Sequence, residues 1–364
     1  MARSLIATAT LIALFSGSTF AESPLKKSIL NYAEHVHAQY AESLARAKVL
    51  RESITLFTET PSVMTLEMAK ASWKLAREPY GQTEVFRFYN GPIDQDGGPE
   101  GLLNSWPLDE AYIDYVAGKP NAGIINDLQN YPVINKELLE SLNELDGEKN
   151  ISTGYHGIEF LLWGQDFSAT GPGNRSFEDY TTGTNANRRA EYLNIAADLL
   201  VQHLEGLESA WRKDENNYRR EFEALPELVS LKKLLQGIIF MAGDELSGER
   251  MYVAYDTQGQ EDEHSCFSDM THMDIRWNYQ GVVNVVRAAG LLELPELKGT
   301  ATAAKIENHF ATIPSVLEAI PVPFDQAITQ ERGRSQILTS VESLEALARD
   351  LAEASKLLKA PVDY

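Results

Sequence analysis

His156 and Glu159 stand three residues apart in GYHGIEFLLWGQD, residues 154–166. On a helix this spacing puts both side chains on one face. Imidazole and carboxylate together are common ligands for iron, zinc or manganese. Their neighbours are almost all apolar or small. An isolated ionised carboxylate in such surroundings costs several kcal/mol unless it is paired or bound to metal. Gly154 and Gly157 beside the pair remove side-chain bulk, so another helix or a ligand can approach closely. The competing reading is a hydrogen-bonded polar pair at a helix–helix contact.

Two groups do not complete a metal site, and three other stretches offer more. Glu84 lies among aromatic residues in WKLAREPYGQTEVFRFYN, residues 73–90, near Arg77 and Arg87. GDELSGERM, residues 243–251, carries Asp244, Glu245 and Glu249, and the last two are four apart on one helix face. EDEHSCFSDMTHMD, residues 261–274, packs His264, Cys266, Asp269, His272 and Asp274 together. That last span also reads as a solvated loop before a helix capped by Asp269 or Thr271. The expected cation site joins His156 and Glu159 to Glu84 and to Glu245 or Glu249 from the second half. Ferritin-like bundles build sites this way, from inward-facing Glu and Glu-x-x-His. Arg77 and Arg250 are the alternative, since either can neutralise a buried carboxylate without metal.

Other chemistries lack their groups. A zinc peptidase helix of the H-E-x-x-H or H-x-x-E-H type needs a second histidine, and position 160 is Phe. No G-x-S-x-G elbow occurs. Cys266 is the single cysteine, so no disulfide forms within the chain. GPIDQDGGPEG, residues 91–101, lacks the spacing of a calcium loop and reads as a shaped turn.

The elements that must position these groups are helical. The chain has 364 residues, 43% of them hydrophobic. Apolar residues recur three and four apart over 25–59, 63–89, 136–145, 152–163, 188–213, 226–256, 271–288, 301–318 and 333–357, with a shorter helix at 108–116. Strand signals are scarce. The fold class is therefore all-α, two helical bundles side by side. The turn-rich stretch 166–187 is the expected link between an N-terminal bundle at 22–165 and a C-terminal bundle at 188–364. A His-containing helix ending in Trp in each half hints at duplication. Residues 1–21 have a basic Arg3, an apolar run and a small-residue cleavage site, which reads as a signal peptide. No cysteine lies there for a lipid anchor. Without disulfides, an exported chain fits a bacterial periplasm. The net charge of −21 at pH 7 repels nucleic acid and anionic membrane and attracts cations.

GYHGIEFLLWGQD resembles the G-x-H-x-x-E signature of the imelysin family, also classed as peptidase family M75. WPLDEAYIDYV (106–116), PGNRSFEDY (172–180), LSGERM (246–251) and EHSCFSDMTH (263–272) are similar to its iron-regulated branch. The resemblance covers nearly all of the chain after residue 21. It implies an all-helical, two-bundle fold with Gly154, His156 and Glu159 as the functional motif near the bundle interface. It also implies export and a link to iron uptake. The expected ligand is a metal ion or small iron complex, with iron favoured over zinc. An iron-uptake or redox partner in the periplasm or membrane follows, without a stable membrane anchor; outer-membrane association is disfavoured. A metallopeptidase, and a metal-free module binding a peptide or redox partner, stand as alternatives.

Overall fold

The computed structural model describes residues 22–213 and 215–364, so the expected signal at 1–21 lies outside the described residues. Eight α-helices of ten residues or more carry the fold among them: α1 Pro24–Glu59, α2 Val63–Gly81, α3 Gly154–Trp163, α4 Ala186–Trp211, α5 Glu227–Phe240, α6 Thr271–Ala288, α7 Ala301–Glu318 and α8 Glu331–Leu357. The described residues contain no strand, only an isolated bridge between Val116 and Lys119. The chain is all-α, as expected.

Local chemistry sets the helix ends. Ser23 caps α1 by accepting from the Lys26 amide, and Pro24 sits in the first turn, where its missing N–H costs nothing. Ser62 and Thr65 form a reciprocal capping box on α2. Apolar spacing predicts that α2 runs to residue 89, but it ends at Gly81. Phe88 and Asn90 take left-handed backbone conformations that no continuing helix allows. The expected helix 226–256 is continuous but changes register: Met241–Tyr252 is a π-helix between α5 and the short helix Val253–Thr257. Such wide turns often mark functional segments, and this one carries Glu245, Glu249 and Arg250.

α1 packs lengthwise against both α2 and α4, and α3 lies against α2 and α4. α8 packs along the π-helix, α7 and α5. α6 joins the groups by touching α1, α2 and the π-helix. The stretch 166–187 thus connects two helices, α3 and α4, that lie against each other. The buried apolar side chains form one contiguous cluster from Ile29 to Val362. No helix among the described residues is long and apolar enough to cross a membrane.

Candidate functional site

α3 is buried from end to end. It starts at Gly154, where φ is +77 and a Cβ would stand 2.6 Å from the Leu103 carbonyl oxygen. Only glycine meets both demands. Gly154→Ala is expected to cost about 2–4 kcal/mol, left-handed strain plus backbone overlap, read as a lower urea midpoint. Gly157 is different: a Cβ there would make only ordinary contacts, 3.6 Å from Ile113 Cδ1. It does not mark a close approach.

His156 and Glu159 share one face, and the structure defines their relation. His156 Nδ1 lies 2.9 Å from Glu159 Oε2. The other carboxylate oxygen accepts from the Ser268 amide at 2.9 Å and the Ser268 hydroxyl at 2.7 Å. Both oxygens of Glu159 are therefore engaged. His156 Nε2 is buried and has no partner. Burial pushes the Glu159 carboxyl up to about 8, against the lowering effect of the Ser268 bonds. Burial, then the neighbouring His264 and Arg77, hold His156 well below the usual histidine range.

His264 stacks edge-on to His156, ring centres 4.7 Å apart, with Trp106 5.2 Å away on another side. Its Nδ1 lies 3.0 Å from Asp274 Oδ2 and its Nε2 lies 3.2 Å from the Asn104 side-chain amide nitrogen. These contacts set the tautomer: Nδ1–H donates to Asp274, and Nε2 accepts from Asn104. Arg77 closes the ring, bonding Asp274 at 3.1 Å and Asn104 at 2.5 Å. Its guanidinium sits 5.0 Å from the Tyr155 ring centre. Burial, then Arg250 and Arg77, keep His264 neutral.

The remaining expected ligands form a second set. Glu84 Oε2 accepts from Arg250 and, at 3.0 Å, from Arg87. Glu245 accepts from Arg250 at 2.8 Å and from Arg87 at 3.3 Å. Burial alone would raise Glu84, but Arg250 and Arg87 outweigh it and hold the carboxyl down to about 2. Glu245 is lowered by the same pair. The guanidinium groups thus occupy the place where the sequence predicts a cation shared with His156. Glu249 lies apart, on a cleft of ≈ 390 Å³ that also takes in Arg87, Glu100, Asn104, Trp106 and Glu245. Among the described residues no three His, Cys, Asp or Glu side chains converge closely enough to share one metal ion. Asp269 turns the chain into α6 with φ +57, and burial, then Asp166 and Asp325, push its carboxyl up to about 6. Neither it nor His272 bonds His156 or Glu159; His272 Nδ1 is buried without a partner.

Ser268, Asn104 and Trp106 are site residues that sequence reasoning does not single out. Ser268 lies inside CFSDM, a stretch recognised only as similar to a family motif. Nothing in its local sequence signals a bond to a residue 109 positions earlier.

The donor set offers one metal-ligand bond once Glu159 gives up its proton, so that His156 Nδ1–H donates to the carboxylate and Nε2 carries the free lone pair. A ligating histidine typically hands its second ring nitrogen to a carboxylate, which fixes ring and tautomer. Glu159 is placed for that role, and the unpartnered His156 Nε2 is the atom left to bind.

The comparisons with known proteins agree with the all-helical fold. The profile of the family described as Imelysin matches residues 36–351. Iron-regulated protein A of Synechococcus elongatus is 26% identical over 330 residues, 86% of this chain and 80% of that protein. A crystal structure described as an iron-regulated protein A precursor of Parabacteroides distasonis superposes with a TM-score of 0.72 at 16% identity, over 94% of this chain and 97% of that one. With its fold, its motif helix and a match over most of its length, the chain belongs to the imelysin family.

Proposed function

We propose that this is an iron-handling imelysin of the bacterial periplasm, taking up a metal ion or small iron complex at His156. One observation carries the reading: His156 Nε2 is buried and unpartnered while Glu159 and Ser268 hold the rest of the ring in place. A buried polar atom left unpaired costs about 1–3 kcal/mol, and a ligand bond would recover it. The relative called iron-regulated protein A supports the link to iron. The relative called a precursor supports export. The acidic cleft beside Asn104 and Trp106 supports entry of a cation. His156 would be the ligand and Glu159 its orienting carboxylate. His264 would supply a second nitrogen once Asn104 releases it. The metal is cargo in this reading. A peptidase is less well supported, because Glu159 is bonded on both oxygens and holds no free edge to activate water.

The test is thermal unfolding of untagged protein with ferrous and with ferric iron near neutral pH. Iron at a hundredfold over its dissociation constant should add about 2.7 kcal/mol of stability. His156→Ala should fold, by circular dichroism, and show no iron-dependent rise. An unchanged melting temperature with both oxidation states would overturn the proposal.

A further inference from the structure

The far end of α3 holds a second polar arrangement that the proposed iron site does not use. Gly164 ends the helix with φ +72, and the chain returns through PGNRSFEDY. The Arg175 amide donates to the Trp163 carbonyl at 2.7 Å, which ties this turn to the helix end. The Arg175 guanidinium is buried, with its centre 5.4 Å from the Tyr115 ring centre and 5.1 Å from that of Phe160. Its Nη1 donates to Asp114 at 2.8 Å and to Asp179 at 3.1 Å. The opposite edge is free: Nε is buried without a partner, and Nη2 makes no hydrogen bond among the described residues.

Arg175 also lines a cavity of ≈ 300 Å³, together with Tyr115, Trp163, Gln165, Phe167 and Asn174. Phe167 is 76% exposed at this cavity, unusual for so large an apolar side chain. An adjoining cavity shares Trp163 and Asn174 and adds Lys70 and Lys74, whose amines lie 5.6 and 5.8 Å from the Trp163 ring centre. Buried N–H groups are costly unless an acceptor meets them. A guanidinium edge with two parallel donors matches the two oxygens of a carboxylate. Aromatic walls suit a flat body. Arg189 shares Asp114 with Arg175 at 2.6 Å, so the two arginines and the carboxylates of Asp114 and Asp179 balance in charge. Lys70 pairs with Glu67 at 3.0 Å on the same adjoining cavity, so among the described residues Lys74 is left as the one unmatched positive charge beside the site, on a chain of net charge −21.

We propose that this cavity binds a planar, aromatic carboxylate. Its carboxylate takes the free edge of Arg175, and its ring lies against Trp163 and Phe167. The acid is either a free small molecule or the C-terminus of a peptide ending in an aromatic residue.

Calorimetric titration tests this in two arms. The first uses phenylacetate against phenylacetamide. The second uses a short peptide ending in Phe, with a free or an amidated C-terminus. In at least one arm the acid should bind saturably and its neutral counterpart at least about tenfold more weakly, because a charge-assisted pair is lost. Whichever arm binds identifies the source. Phe167→Ala, at an exposed position, should weaken binding several-fold with an unchanged melting temperature. Arg175→Lys keeps the charge, loses the fork and should abolish binding. Equal binding of acid and amide overturns the proposal. So does the absence of saturable binding in both arms at about 10 mM ligand, or a Phe167→Ala variant that binds like the wild type.

Discussion

Arg250→Met is expected to destabilise the protein by about 3–5 kcal/mol, the cost of removing one partner from a buried ion pair. Arg250 is fully buried and bonds Glu84, Glu245 and, at 2.6 Å, the Asn278 side-chain oxygen Oδ1. Methionine fills similar volume, so the loss is chiefly of charge and hydrogen bonds. Glu84 is then left with Arg87 alone. Glu84 is held below its ordinary range, so the stability it contributes is present at neutral pH and is lost as pH falls toward about 2. Urea unfolding at pH 7 and pH 3 should show the variant's deficit shrinking on acidification. Adding Glu84→Gln should recover part of the deficit at pH 7. A deficit under about 1 kcal/mol at pH 7 would show that the cluster is not the buried charge network described above.

Glu159→Gln acts in the opposite direction. In the metal-free protein the carboxyl titrates at about 8, far above its ordinary value of 4.5. Between those values the folded chain keeps a proton that the unfolded chain has released. Stability therefore falls as pH rises through that window, and the penalty levels off above about pH 8. Glutamine keeps an acceptor for Ser268 and offers a donor to His156 Nδ1, without a charge to bury. The variant should match the wild type near pH 4 and exceed it at pH 9 by several kcal/mol. The expected gain is on the order of 5 kcal/mol, since each pH unit separating the folded from the unfolded value is worth about 1.36 kcal/mol. Chelator-treated samples unfolded at intervals from pH 4 to 9 give the comparison. Parallel curves for the two proteins would refute the assignment of a protonated Glu159.

The helices can be read from apolar periodicity because each buries one stripe. The registers of α6 and α7 agree with their patterns to the residue. Periodicity overextends α2 because nothing in the local pattern announces Thr83, whose amide and hydroxyl both take the Tyr80 carbonyl and divert the chain into a tight turn at Glu84–Phe86. It also passes over the π-helix, which preserves helical continuity while changing only which carbonyl each amide reaches. The motif pair His156 and Glu159 stands out through its apolar setting. The division of the acids does not. Whether Glu84 meets a metal or an arginine depends on Arg250, 166 residues away, and pairings at that range leave no periodic trace. The sequence offers Arg250 as a competing partner, and the structure puts it beside Glu84 and Glu245.

The anchoring of Glu159 by Ser268 bears on how such a motif can move between proteins. Copying G-x-H-x-x-E onto another helix would transfer the histidine and the acid but leave the acid with an empty oxygen and the imidazole free to rotate. The hydrogen-bonded unit is discontinuous, a helix plus a loop 109 residues downstream. A designer grafting it must carry both. Relatives that drift at position 268 should drift at 159 as well, since neither side chain has its present role without the other.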